Sequence, residues 1–149
     1  MSSYAKIYLH IVFSTKRREP LINPDWESRL YSVIGGTLRT VKCTLLAGNG
    51  TEDHVHLLIS MARDISTSDA VRNIKTDSSK WVHDTFPSSS EFKWQDGYAA
   101  FSVSHSQLDA VRRYIANQKE HHKKTSFQDE LRQLLRLHDI EFDERYLWD

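Results

Sequence analysis

The run Asp53-His54-Val55-His56-Leu57-Leu58-Ile59-Ser60 constrains this chain more than any other stretch. Strand alternation puts Val55, Leu57 and Ile59 on one face and His54 and His56 on the other. The aliphatic face belongs against a core, which leaves the histidines on the opposite side of the sheet. The two imidazoles then stand about 7 Å apart, one two-residue strand step, near enough to hold one divalent cation. Histidine is the commonest metal ligand and is largely neutral at pH 7. Two ligands alone do not make a site, so the rest of the chain must supply what completes it.

Length and composition narrow the classes. At 149 residues the chain is expected to form one domain over 1–149. Its single cysteine, Cys43, excludes an internal disulfide and every cysteine-rich zinc arrangement, and it reads as a small buried hydrophobe. No apolar run reaches the roughly 18 residues of a membrane span. The N-terminus lacks a charged head followed by an apolar stretch. The expectation is a cytoplasmic protein without a membrane partner. Lys plus Arg equals Asp plus Glu at 20 each, so net charge says nothing about nucleic acid. The distribution is uneven, with basic clusters at Lys16-Arg17-Arg18, at Arg72, Lys75 and Lys80, at Arg112-Arg113 and at Lys119, Lys123 and Lys124. Such segregation fits a basic groove and fits solvated helix faces equally well.

Residues 4 to 16 alternate as a strand, with Ala5, Ile7, Leu9, Ile11 and Phe13 on an apolar face and His10 on a mixed one. Trp26, Leu30, Val33, Ile34 and Leu38 follow helical spacing over 24–41, and Gly35-Gly36 inside it points to close packing or a bend. Thr44 to Ala47 is a short strand, and Gly48-Asn49-Gly50 reads as the turn before the histidine strand. A helix from Thr67 to Asp84 follows, with Ser66 or Thr67 as its cap. Tyr98 to Ser104 alternates again. Ser106 then caps a helix from Gln107 to Lys123, and a last helix covers Phe127 to Leu137. Strand, helix, strand, strand, helix, strand is the split β-α-β order of a ferredoxin-like α+β sandwich with an antiparallel sheet, here with extra C-terminal helices. That fold hosts many functions, so function has to be read from the site.

Tyr114 and Gln118 stand one turn apart on one face of the predicted 107–123 helix, at the edge of the stripe of Leu108, Val111 and Ile115. Gln118 offers a carbonyl oxygen that can ligate a hard cation. Tyr114 offers a phenol that becomes a nucleophile once its proton is removed. With His54 and His56 this gives two imidazoles, an amide oxygen and a nucleophile. Tyr98 and Tyr146 are rival nucleophiles, but neither has a ligand-type residue placed with it. His10 neighbours the site on the mixed face of the first strand, while His121-His122, one turn beyond Gln118, reads as a solvated helix end, with an approach of His121 to the metal or the DNA backbone as the alternative.

In this order along the chain, these residues resemble the HUH endonucleases, and among them the small single-tyrosine transposases of bacterial insertion sequences. The resemblance runs from Ile7–Lys16 through Asp53–Ile59, Ile74–Trp81 and Trp94–Tyr98 to Tyr114–Gln118. It implies a DNA transposase needing Mg²⁺ or Mn²⁺ on His54, His56 and Gln118. Tyr114 would attack single-stranded DNA at hairpin-bearing element ends and leave a 5′-phosphotyrosine and a free 3′-hydroxyl. It also implies a homodimer, in which the tyrosine helix of one subunit can complete the metal site of the other. Arg17, Arg18, Lys75 and Lys80 are the candidate DNA contacts. The rival reading is a non-catalytic or domesticated module that binds hairpin DNA or RNA. Such a binder has no need of His54, His56, Tyr114 and Gln118 together.

Overall fold

A strand extends only as far as its neighbours do, and this sets the observed boundaries. The computed structural model describes residues 1–148. Its first strand, β1 (Tyr8–Ser14), pairs antiparallel with β3 (His54–Ser60) from Tyr8 opposite Ser60 to Ser14 opposite His54. The alternation of residues 4 to 7 therefore runs past the sheet, and Tyr4 and Ile7 are exposed. Strand β2 (Thr44–Gly50) pairs with the far edge of β3, and β4 (Ala99–Val103) with the far edge of β1. The sheet order is β2-β3-β1-β4, all antiparallel, as the split β-α-β reading requires.

Two helices, α1 (Glu27–Thr40) and α2 (Thr67–Thr85), cover the face expected to be apolar. There Ile11, Phe13, Val55, Leu57 and Ile59 pack with Leu30, Ile34, Leu38, Val71, Ile74 and Val82. Ser66 caps α2 by accepting from the Asp69 amide at 3.1 Å. The glycine pair of α1 is not a packing device: a Cβ at Gly35 or Gly36 would meet nothing nearer than 3.7 Å, and the helix is unbroken.

The opposite face carries α3 (Leu108–Ala116), α4 (Gln118–His121) and α5 (Phe127–Leu137). Val12 and Phe101 of the sheet pack there against Phe127, Leu131 and Leu135 of α5. Two expectations change on this side. The predicted turn at Gly48-Asn49-Gly50 lies inside β2, and the reversal falls at 51–53. The glycines serve close approach instead, since a Cβ at Gly48 would sit 2.7 Å from the Tyr31 ring and one at Gly50 would sit 2.1 Å from the His54 carbonyl oxygen. The predicted 107–123 helix is divided at Asn117, and Ser106 bonds Ser104 instead of capping it. The break has a partner on the edge strand: the Asn49 side chain donates to the Ile115 and Ala116 carbonyls at 3.0 and 3.2 Å. Lys119 then donates to Asn49 Oδ1 at 2.8 Å, tying α4 to the same residue.

Candidate active site

Because His54 and His56 leave β3 away from the aliphatic core, they enter the space under α3, α4 and α5, and both are fully buried. Burying two imidazoles costs free energy unless their nitrogens find partners. His54 Nδ1 is 2.7 Å from Asp53 Oδ1 and 2.9 Å from Thr51 Oγ1. A carboxylate only accepts, so this contact fixes the His54 proton at Nδ1. Burial works against the Asp53 charge, but the His54 hydrogen bond outweighs it and keeps that carboxyl below its ordinary value. His56 Nδ1 lies 2.8 Å from Nε2 of the buried His10, which β1 holds beside it.

The other ends of these imidazoles converge on a residue that the sequence reading missed. Glu130 of α5 is 2% exposed. Its Oε1 lies 2.9 Å from His56 Nε2, 2.9 Å from His122 Nε2 and 3.7 Å from His54 Nε2. Its Oε2 accepts from the Tyr114 hydroxyl and, at 2.9 Å, from the Gln118 amide. His122 is therefore part of the site and not a solvated helix end. The neighbouring His121 Nε2 is buried without a hydrogen-bond partner, 3.3 Å from Glu130 Oε2.

The charges follow from these contacts. Burial raises the Glu130 carboxyl, but hydrogen bonds from His122 and His56 outweigh it and hold the group well below the usual carboxylate range. Burial and then the Glu130 carboxylate push the Tyr114 phenol well above its ordinary value. For His122 burial disfavours the charge, and the Glu130 bond prevails and raises its pKa. Burial, followed by repulsion from His56, lowers His10 to about 3. Burial also takes His56 down to about 4, against the pull of Glu130. Both are neutral imidazoles at pH 7.

This donor set fits a divalent cation. Whenever the ring carries a single proton, the Asp53 contact holds that proton at Nδ1 and leaves the lone pair at Nε2. That lone pair faces the Gln118 carbonyl oxygen at 3.3 Å and Glu130 Oε1 at 3.7 Å. Three electron-pair donors facing one another want a positive charge between them. Ligand atoms of His54, His56, His122 and Glu130 all lie within 4.8 Å of one another.

Of the expected site residues, Tyr114, His54, His56 and Gln118 thus come together within one chain, joined by Glu130. Arg17 and Arg18 follow β1 at the end of the sheet where His54 begins its strand, and Arg18 lies 5.7 Å over the Trp148 ring. Lys75 and Lys80 stand on α2, across the sheet from the histidines. The Lys75 ammonium donates to the Gln95 and Gly97 carbonyls at 2.8 and 2.5 Å, and Lys80 pairs with Asp84. Beside the site runs an open groove of about 530 Å³, lined by Thr51, Asp53, Lys119, His122, Lys123 and Phe127 among others. No helix among the described residues is long and apolar enough to cross a membrane.

Comparisons with known proteins bear on the fold and the family. Among solved structures, a protein of Deinococcus radiodurans R1 provisionally named a transposase superposes with a TM-score of 0.63 at 22% identity, over 79% of this chain and 95% of its own. A REP-associated tyrosine transposase bound to a REP hairpin superposes with a TM-score of 0.59 at 18% identity, over 96% of this chain and 93% of its own. At such identities these two likenesses bear on fold. No match was found among curated proteins. The family model of IS200-like transposases matches residues 3–118, from before β1 to Gln118, and on that match the chain belongs to the IS200-like transposase family.

Proposed function

We propose that this transposase cuts and rejoins single-stranded DNA through Tyr114, with a divalent cation, Mg²⁺ or Mn²⁺, on the His54 and His56 side of the site. The observation that carries this reading is the meeting of Tyr114, Gln118, His54 and His56 around one carboxylate inside a single chain. His54 and His56 would hold the cation with Gln118 Oε1 beside them, and the bound ion would supply Lewis-acid polarisation of the scissile phosphate.

The chain's own residues do the rest. Tyr114 Oη attacks phosphorus, the bond to the 3′ oxygen breaks, and the phenolic proton leaves to solvent, Glu130 Oε2 serving to hold the hydroxyl in place before the attack. The departing 3′ oxygen takes a proton from solvent. A 5′-phosphotyrosine conserves the bond energy, so a different 3′-hydroxyl can reverse the step and release Tyr114. Gln118 and the buried imidazoles keep Glu130 oriented toward the phenol. The groove flanked by Lys119 and Lys123 offers a basic approach to the site.

A hairpin-bearing substrate is supported by the structural likeness to a tyrosine transposase bound to a REP hairpin. Arg17, Arg18, Lys75 and Lys80 remain the candidate phosphate contacts. Of these, the arginines stand at the His54 end of the sheet. In a cytoplasmic homodimer, as the resemblance implies, each subunit would use its own tyrosine with its own histidines.

The test is incubation of the protein with single-stranded hairpin DNA and Mn²⁺ or Mg²⁺, followed by a denaturing gel. A covalent adduct is expected, absent in chelator and absent from Tyr114→Phe. An adduct formed by Tyr114→Phe refutes the nucleophile. A wild type that binds hairpins and never cuts them supports the binding-module reading instead. His54→Ala should lose cleavage while retaining most of the binding.

A further inference from the structure

We propose that Asn49 is a positioning residue for the cutting step: its side chain sets the break at Asn117 and so holds Tyr114 against Glu130. The proposal rests on the reading that Tyr114 is the nucleophile, and adds how the fold places it.

Register puts Asn49 beside the site. It stands opposite His56 across the β2–β3 ladder, so its side chain leaves the sheet on the histidine face. The flanking glycines keep it there. At Gly48 the strand runs too close to the Tyr31 ring, and at Gly50 too close to the His54 carbonyl, for either position to carry a side chain. Asn49 is therefore the side chain of 48–50 that reaches the helices above.

Its amide serves both sides of the break. Nδ2 carries two protons and faces the Ile115 and Ala116 carbonyls at 3.0 and 3.2 Å, at the end of α3. In an unbroken helix those carbonyls would accept from the amides of Lys119 and Glu120. Oδ1 accepts from Lys119 Nζ at 2.8 Å, in the first turn of α4. Carbonyls only accept and an ammonium only donates, so the partners fix which way round the Asn49 amide stands. Lys119 also reaches Glu27, 3.0 Å away at the start of α1, and the Gly50 carbonyl at 3.3 Å. The break is thus anchored to β2 and, through Lys119, to α1.

The effect of the break is felt at Glu130. Tyr114, Gln118, His121 and His122 all approach that one carboxylate. On a straight helix positions 114 and 122 lie about 12 Å apart along the axis, eight residues at about 1.5 Å each. Bending the chain at Asn117 gathers that length around a single group. Of the residues of α3 only Ile115 is buried, so packing alone holds the helix weakly. The aim of Tyr114 then depends on polar contacts: Glu130 takes its hydroxyl, and Asn49 takes the two carbonyls that follow it in the chain. A nucleophile displaced by about 1 Å loses up to about 100-fold in rate.

The experiment compares full-length wild type with Asn49→Asp and Asn49→Ala. Aspartate keeps the shape and the Lys119 contact but sets oxygen against the two carbonyls, whereas alanine removes the side chain and lets water reach them. At saturating hairpin DNA and Mn²⁺, adduct formation should slow about 10- to 100-fold in Asn49→Asp and by less in Asn49→Ala, with the hairpin Kd within a few-fold of wild type. A side chain that only filled space would reverse that order. Position is read separately by fluorine NMR of metal-free protein carrying 3-fluorotyrosine, the Tyr114 signal being the one lost in Tyr114→Phe. In Asn49→Asp that signal should move toward its position in urea. In wild type the Asn49 side-chain N–H protons should exchange with solvent far more slowly than those of free asparagine. An Asn49 amide that exchanges as fast as a free one overturns the proposal whether or not the variants fold. So does a Tyr114 signal unmoved in Asn49→Asp, an unchanged adduct rate, or a greater loss with alanine than with aspartate. A wild type that forms no adduct removes the nucleophile reading, and the fluorine signal and the amide exchange still decide the placement.

Discussion

On one face of the sheet, Val55, Leu57 and Ile59 meet the aliphatic stripes of α1 and α2. On the other, one residue step away along the same strand, His54 and His56 meet Glu130. The first face is held by many weak, non-directional contacts, each roughly proportional to the area removed from water. The second is held by a few directional ones around a single carboxylate, each depending on where a proton sits. The apolar face tolerates small errors of position. The polar face is a site because it does not, and because its free lone pairs are arranged for a cation.

The predictions test how separate those faces are, beginning with the largest effect. Tyr114→Phe should abolish the covalent adduct on a denaturing gel while lowering stability by no more than about 3 kcal/mol, the loss of one hydrogen bond to a charged group. Leu57→Ala, fully buried on the apolar face, should cost about 2–5 kcal/mol in urea unfolding. It should leave Mn²⁺ affinity of the folded protein within a few-fold. A large fall in affinity would show that the faces are coupled through β3.

Acid should attack the polar face selectively in metal-free protein. His10 and His56 are held at about 3 and about 4, against 6.5 for an ordinary imidazole. Below 6.5 the unfolded chain therefore binds protons that the folded chain refuses, and stability falls with pH. The slope is about 1.4 kcal/mol per pH unit for each group. Glu130, held low, adds loss of the same sign as pH falls below its ordinary value. His122, held high, acts oppositely, its contribution being complete in acid and lost as pH rises through its folded pKa. Urea midpoints from about pH 7 to about pH 5 should fall by more in wild type than in His10→Phe. Metal ion at about 100 times its Kd should add roughly 2.7 kcal/mol, and chelator should remove it. The smallest effect belongs to Lys80, whose exposed pair with Asp84 should leave stability unchanged when it is replaced by alanine. Arg17→Ala with Arg18→Ala should weaken hairpin binding more and lower its salt dependence.

Sequence periodicity carried the strand order and the apolar face, because alternation and helical spacing are local. It also carried His54, His56, Tyr114 and Gln118, since each pair is close in sequence, although the break at Asn117 places Tyr114 on α3 and Gln118 on α4. Glu130 escaped because it sits on a separate helix from Tyr114 and Gln118 and 74 residues from His56, although a carboxylate inside the Phe127-Leu131-Leu135 stripe is visible as an anomaly. The break at Asn117 had no local cause to read. It is held by Asn49, nearly seventy residues earlier, in a segment where Gly48 and Gly50 signal a turn and the structure has a strand.

The central claim is that one chain's tyrosine helix docks on that same chain's histidines. Complementation tests it most directly: His54→Ala and Tyr114→Phe proteins are mixed with hairpin DNA and Mn²⁺ and run on a denaturing gel beside wild type. Wild type should form an adduct and the mixture none, because neither chain holds both halves of the site. An adduct in the mixture, carried by the His54→Ala chain, would show that tyrosine and histidines work across two subunits and would contradict the claim.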